Sequence, residues 1–184
     1  MSYNIKALET GDKYEFDCGD SDLNEFFHKD ALPHKRDLIG VTYFMYEEGK
    51  DTAAAFFTVM NDVVKTAKLR NDEVVAQKLY KFYPAVKIGR FGVDKKYQRQ
   101  RIGVKVMNSI KYLFTYENKT GCRFLTLDAY NKLEVLAFYQ KCGFTFFTND
   151  ADRRTRAMKY DLKFYSDELN VRLQATGGST YSNR

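Results

Sequence analysis

The sequence predicts a mixed α+β fold, and three observations carry that expectation. From residue 85 to residue 148 the pattern runs strand, loop, helix, strand, helix, strand. Ahead of it, two apolar runs at 41–46 and 53–60 flank Glu47-Glu48-Gly49-Lys50-Asp51, a hairpin turn signal. The 184 residues, 44% hydrophobic and 16% aromatic, suit one globular domain, which at this length buries roughly 70% of its unfolded surface.

The elements read in order as follows. Residues 3–8 form a short strand. Gly19-Asp20-Ser21 opens a helix with Asp20 or Ser21 as N-cap, Asp22 and Glu25 near the positive end of its dipole, and Leu23, Phe26 and Phe27 on its apolar face. The two hairpin strands follow. Val74, Val75, Leu79 and Phe82 stand at helical spacing and predict a helix over 71–82, ended by Pro84. Residues 85–94 read as a strand and 95–102 as a polar, basic loop. From Gly103 to about Tyr116 an amphipathic helix carries Val106, Met107, Ile110, Leu113 and Phe114 on one face. Residues 123–128 form an apolar strand. Residues 133–142 form a helix, with Gly143 placed for a left-handed C-cap. Residues 144–148 and 155–162 are the last strands. Residues 1–170 read as a single domain, and 171–184, ending rich in Gly, Ser, Thr and Asn, as a disordered tail.

Composition excludes several classes. Cys18, Cys122 and Cys142 are odd in number and widely spaced, without a CxxC, so neither a disulfide framework nor a zinc site is expected. His28 and His34, the two histidines, have no partner at ligand spacing and read as surface residues. The N-terminus lacks an apolar signal-peptide core, and the densest apolar run, 53–57, is far too short to span a bilayer. A cytoplasmic protein with reduced thiols is expected. The net charge of +6 favours a polyanionic partner without choosing between nucleic acid and a phosphate-rich cofactor.

The loop after the 85–94 strand is where chemistry is expected. Lys87, Arg90, Lys95, Lys96, Arg99, Arg101 and Lys105 gather there, and Asp94 is the only acid among them. The free N–H groups that open the next helix point toward this loop. Together they make an anion cradle suited to a pyrophosphate, and Gly103 lets the backbone approach its ligand.

On these residues the chain resembles the GNAT superfamily of N-acetyltransferases. Ile88-Gly89-Arg90-Phe91-Gly92-Val93-Asp94 is similar to the family's central strand. Tyr97-Gln98-Arg99-Gln100-Arg101-Ile102-Gly103 is similar to its pyrophosphate loop, Q/R-x-x-G-x-G/A, with Arg101 standing where the first glycine is usual. Phe138-Tyr139-Gln140-Lys141-Cys142-Gly143-Phe144 is similar to its F-Y-x-x-x-G-F segment. If the Arg101 position needs a positive φ, the side chain restricts the loop; turned outward, it would contact a phosphate. The start at 16–27, Phe16-Asp17-Cys18-Gly19-Asp20-Ser21-Asp22-Leu23-Asn24-Glu25-Phe26-Phe27, resembles toxin-type members, which acetylate the amino group of aminoacyl-tRNA and pair with small antitoxins. The same segment also reads plainly as a capped amphipathic helix.

The resemblance implies a GNAT-like fold, a mostly antiparallel sheet splayed at the acetyl-CoA site and flanked by helices. It implies acetyl-CoA as cosubstrate, held by Phe91, Gly92, Val93, Gln98, Arg99, Gln100, Arg101, Ile102, Gly103 and Val104, with Asn131 a contact for the pantetheine arm. A backbone N–H of 91–93 would polarise the thioester carbonyl. Tyr139 would be the general acid for the departing thiolate; a phenol of pKa about 10 stands close enough to a thiol of pKa about 8.5 for the proton to pass within a hydrogen bond. No general base is implied. The acceptor is a primary amine, with aminoacyl-tRNA favoured by a second basic cluster, Arg153, Arg154, Arg156, Lys159 and Lys163. An antitoxin protein and a second copy of the chain are further expected partners; a membrane is not. The alternatives are a non-catalytic GNAT-like module that binds coenzyme A or nucleic acid, and an acetyltransferase for small-molecule amines or protein N-termini.

Overall fold

The computed structural model describes residues 2–74, 80–116, 120–147 and 153–175. Among them, seven strands follow the order β1-β2-β3-β4-β5-β7-β6. They are β1 (Asn4–Ala7), β2 (Val41–Tyr46), β3 (Ala53–Lys65), β4 (Phe82–Val93), β5 (Phe124–Tyr130), β6 (Thr145–Phe146) and β7 (Thr155–Asp161). The pairs β1/β2, β2/β3, β5/β7 and β6/β7 are antiparallel. The helices are α1 (Ser21–Glu25), which runs through a π-helical turn at Phe26–Asp30 into α2 (Ala31–Arg36), then α3 (Ile102–Thr115), α4 (Leu133–Lys141) and α5 (Leu162–Ala175). The chain divides into two compact units, residues 1–62 with 86–108, and residues 63–85 with 109–184.

In the first unit, Ala53 to Val59 of β3 are all buried, because both faces of the strand are covered. Leu8, Phe16, Phe26, Phe27, Ala31, Phe44, Ala53 and Phe56 form its core. The rings interlock: Phe16 lies edge-on to Phe56 at 5.0 Å, and Tyr14 sits 4.4 Å from Phe44. Thr42 and Thr58 face each other across β2 and β3 and share a 2.7 Å hydroxyl hydrogen bond, which satisfies both buried groups. In the second unit, Val64, Tyr83, Ala85 and Phe124 form a core with Leu69 and Phe147 packed on it.

Several expectations change. No helix spans 71–82: Asn71–Glu73 is one 3-10 turn, and Phe82 already belongs to β4. Residues 75–79 lie outside the described residues. Pro84 sits inside β4, and its carbonyl accepts from Arg123 N–H at 2.9 Å, so it keeps the bonding group a proline still has. The strand read as 53–60 continues to Lys65. His34 is half-buried, edge-on to Phe26 at 5.1 Å, rather than a surface residue; His28 is exposed, as read. The last strand ends at Asp161, and α5 follows it. Residues 171–175, read as tail, are therefore helical, and 176–184 lie outside the described residues.

Two helices end alike with different residues. After α4, Gly143 takes φ +87°, with Gly143 N–H bonded to Gln140 O and Phe144 N–H to Tyr139 O. This is the Schellman closure expected there. After α2, Leu38 N–H bonds to Lys35 O and Ile39 N–H to His34 O, so the left-handed position falls on Leu38, at φ 57° and 93% exposed. A left-handed leucine costs roughly 1–2 kcal/mol. Leu38→Gly is therefore expected to raise unfolding stability by about 1 kcal/mol, the added freedom of the unfolded chain removing part of the gain. Urea titration checks this; an unchanged or lower midpoint would show that Leu38 makes a compensating contact.

Candidate active site

The loop between β4 and α3 has an uncommon backbone. Arg99 and Arg101 both take φ 62°, a region L-residues seldom enter outside glycine and asparagine. The position usual for the family's glycine does need a positive φ here, and an arginine supplies it. Both arginines are exposed, and among the described residues neither forms an ion pair, whereas their basic neighbours are engaged. Lys95 pairs with Asp17 at 2.9 Å, Lys96 with Glu15 at 3.7 Å, Arg90 with Asp22 at 3.8 Å, and Lys105 lies 4.7 Å over the Tyr3 ring. Ile102 begins α3 directly afterwards, so the free N–H groups of Ile102, Gly103 and Val104 open beside two uncommitted guanidinium groups. Such a donor set fits a polyphosphate.

The loop is braced by the segment at 16–24. Asp94 is buried; its carboxylate accepts from Asp17 N–H and Lys96 N–H, each at 2.8 Å. Lys95 N–H returns a bond to Asp17 O at 2.9 Å. Gln98 donates from its amide to Cys18 O and Val93 O, both at 3.0 Å, and Gln100 to Lys96 O at 2.7 Å. These two glutamines therefore hold the loop's shape. The Asp17 carboxylate also accepts from Gly19 N–H and the Asn24 amide, each at 2.8 Å. The Lys95 ammonium, then Asn24 and Gly19, hold its pKa down to about 2, so it stays charged at neutral pH. Asp20 caps α1 as read, accepting from Asp22 and Leu23 N–H. The brace was not read from the sequence; the Asp-x-Gly at 17–19, a frequent turn pattern, was its visible trace. Upstream, Gly92 is buried in β4 between Phe91 and Val93, and a Cβ there would lie 3.0 Å from Phe16 and 3.2 Å from Phe56. A side chain there would press on both rings, so packing favours glycine at this position.

In the second unit, Tyr139 lies in the last turn of α4, 9% exposed, edge-on to Phe144 at 5.8 Å and to Phe138 at 5.1 Å. Burial, with a smaller contribution from the Cys142 thiol, pushes its phenol above the ordinary tyrosine range. The hydroxyl therefore keeps its proton at any physiological pH.

Asn131 is exposed, and its amide donates to Arg153 O at 2.9 Å, closing the turn after β5 onto the start of β7. The basic cluster at 153–163 is not one surface. Arg153 and Arg154 are exposed, and Arg156 lies 4.3 Å over Phe146. Lys163 pairs with Asp167 on α5. Lys159 is buried in an ion pair with Glu73, so it is not available to RNA phosphates as its place in the basic cluster suggested. Among the described residues the three cysteines form no disulfide and no group of metal-binding side chains occurs, and no described helix is long and apolar enough to cross a membrane.

Residues 41–146, more than half of the chain, match the acetyltransferase (GNAT) domain family. The fold is similar to AtaT complexed with acetyl-methionyl-tRNAfMet, with TM-score 0.73 and 20% identity, covering 91% of this chain and 99% of that one. It is also similar to a point mutant of KacT, with TM-score 0.76 and 20% identity, covering 92% and 99%. A mutant of the AtaT toxin bound to the C-terminus of the antitoxin AtaR matches with TM-score 0.70 and 22% identity, covering 91% and 96%.

Proposed function

The chain belongs to the GNAT acetyltransferase family, and from that premise we propose that it transfers the acetyl group of acetyl-CoA to the α-amino group of an aminoacyl-tRNA. The observation that carries the reading is the pair of left-handed arginines just before α3, which form no ion pair among the described residues. Holding Arg99 and Arg101 in that conformation costs about 1–2 kcal/mol each, a strain that a bound polyphosphate gives reason to keep. Arg99, Arg101 and the N–H groups of Ile102, Gly103 and Val104 bind the pyrophosphate, while Gln98 and Gln100 keep the loop in shape. The backbone of Phe91, Gly92 and Val93 aligns the pantetheine arm, with Asn131 a further contact. Acetyl-CoA supplies an activated thioester carbonyl. A backbone N–H of β4 stabilises the charge that develops on its oxygen; Tyr139, kept protonated by burial and so a weaker acid than a free phenol, passes its proton to the departing sulfur within a hydrogen bond. The protein otherwise contributes proximity and orientation to an amine that arrives neutral; the proton its nitrogen sheds on becoming an amide passes to water, and solvent returns a proton to Tyr139.

The tRNA half of the reading rests on the likeness to AtaT and on Arg153 and Arg154, two exposed cations outside the cofactor loop. It takes residues 1–170 as one catalytic domain working in the cytoplasm, where charged tRNA and reduced thiols belong. An antitoxin protein and a second copy of the chain are its further partners.

Charged tRNA incubated with labelled acetyl-CoA is expected to take label on its aminoacyl group. Gly103→Glu, which adds bulk and negative charge at the pyrophosphate, should remove the label together with the thermal shift that acetyl-CoA produces. The double change Arg153→Glu, Arg154→Glu should lower labelling most at low salt, where phosphate contacts count most. Efficient acetylation of polyamines or peptides with none on tRNA would redirect the reading to those acceptors. Absence of any thermal shift with acetyl-CoA would end it.

A further inference from the structure

Lys111 is a lysine the proposed chemistry does not use, yet it is 6% exposed in the middle of α3. Its ammonium has no carboxylate in hydrogen-bond reach among the described residues. Instead Nζ donates to the carbonyl of Cys142 at 2.7 Å and stands 4.0 Å from the centre of the Tyr160 ring. Burial lowers its pKa below the ordinary lysine value. A buried ammonium bound to a single backbone carbonyl is costly, and a methionine of similar volume would pack there without that cost.

The carbonyl is the informative partner. Cys142 is the C-cap of α4, three residues after Tyr139. A cation at a helix C-terminus meets the negative end of the dipole and satisfies a carbonyl that the helix cannot. The same turn is held twice more. The Schellman bonds use Tyr139 O itself, and Gly143 is pressed so closely on Tyr160 that a Cβ would lie 2.9 Å from the ring. Rings continue the contact: Tyr160 lies 5.6 Å from Phe144, and Phe144 lies 5.8 Å from Tyr139. Lys111 thus reaches Tyr139 both through the backbone of the last turn and through the stack of rings.

We infer that Lys111 is a positioning residue for the reaction, fixing the terminal turn of α4 and with it the direction of the Tyr139 hydroxyl. This rests on the reading of Tyr139 as the proton donor. Lys111→Met keeps the volume and removes the donor and the charge. The expected result is a kcat lowered roughly ten- to a hundredfold, the scale on which small misplacements of reacting groups act. KM for acetyl-CoA and its thermal shift should stay within about twofold. The decisive comparison is a cycle with Tyr139→Phe: if Lys111 acts through the hydroxyl, adding Lys111→Met to Tyr139→Phe lowers kcat no further. Losses that multiply in the double variant, or an unchanged kcat in Lys111→Met, overturn the inference. Tyr139→Phe with wild-type kcat refutes the proton donor itself, and any loss in Lys111→Met is then structural. Should Lys111→Met fail to fold, Lys111→Leu, which likewise removes the donor and the charge, goes through the same cycle, with the same two outcomes.

Discussion

With Tyr139 as the proposed general acid, Tyr139→Phe is expected to lower kcat by about 10²–10⁴-fold, the usual weight of such a group, and to leave acetyl-CoA binding near wild type. The change removes only a hydroxyl, and the ring contacts to Phe138 and Phe144 survive in phenylalanine. The sign of the pH dependence follows from burial. A phenol whose pKa is raised stays protonated below that value and loses its proton only as the pH climbs past it. The kcat profile of the wild-type protein should therefore show no descending limb from this group between pH 7 and about 10, where an ordinary tyrosine would begin to ionise. Steady-state kinetics across that range, with thiol release as the signal, test both statements. A Tyr139→Phe protein with undiminished kcat at every pH would reduce the residue to packing.

The legible parts of this protein are those where one local cause decides the outcome. Gly143 was readable because a glycine after an apolar helical run has few other uses, and it does close α4. Asp20 was readable as a cap because its carboxylate reaches N–H groups two and three residues on. Leu38 was not readable, since nothing local tells a leucine to occupy the left-handed position where glycine is usual. The helix expected over 71–82 failed at its C-terminal end for a different reason. Phe82 and Tyr83 satisfy helical spacing and strand spacing alike, and Tyr83 is claimed by a core with Val64, Ala85 and Phe124. Arg99 and Arg101 were legible as cations but not in their backbone conformation, which comes from a loop pinned at Asp17, Asp94 and Gln98 by residues about 80 positions away. Lys111 was one polar residue on an amphipathic helix; its partner, Cys142, lies 31 residues on. Long-range polar partners leave no period in a sequence.

The ion pair of Glu73 and Lys159 carries the largest stability effect expected. Each is 3% exposed, and the ammonium also lies 5.9 Å from the centre of the Phe124 ring and 5.8 Å from that of Phe147. Glu73 has a second task, since it accepts from Arg70 N–H at 2.8 Å and so closes the 3-10 turn. Glu73→Leu strands an ammonium among aromatic rings and should cost about 3–5 kcal/mol, far above the 0–1 kcal/mol of an exposed pair. Adding Lys159→Met removes the stranded charge, and the double variant should recover most of that loss, because two packed apolar side chains often replace a buried pair at little cost. Urea unfolding of the two single variants and the double variant measures the cycle. A cost below about 1 kcal/mol for Glu73→Leu would mean that water reaches the pair. The same variants separate structure from RNA contact. Lys159→Met should leave the salt dependence of tRNA binding unchanged, because a buried ammonium releases no counterion, whereas Arg153→Glu with Arg154→Glu should flatten it. A reduced salt slope in a folded Lys159→Met, Glu73→Leu protein would return Lys159 to the surface cluster its sequence suggested.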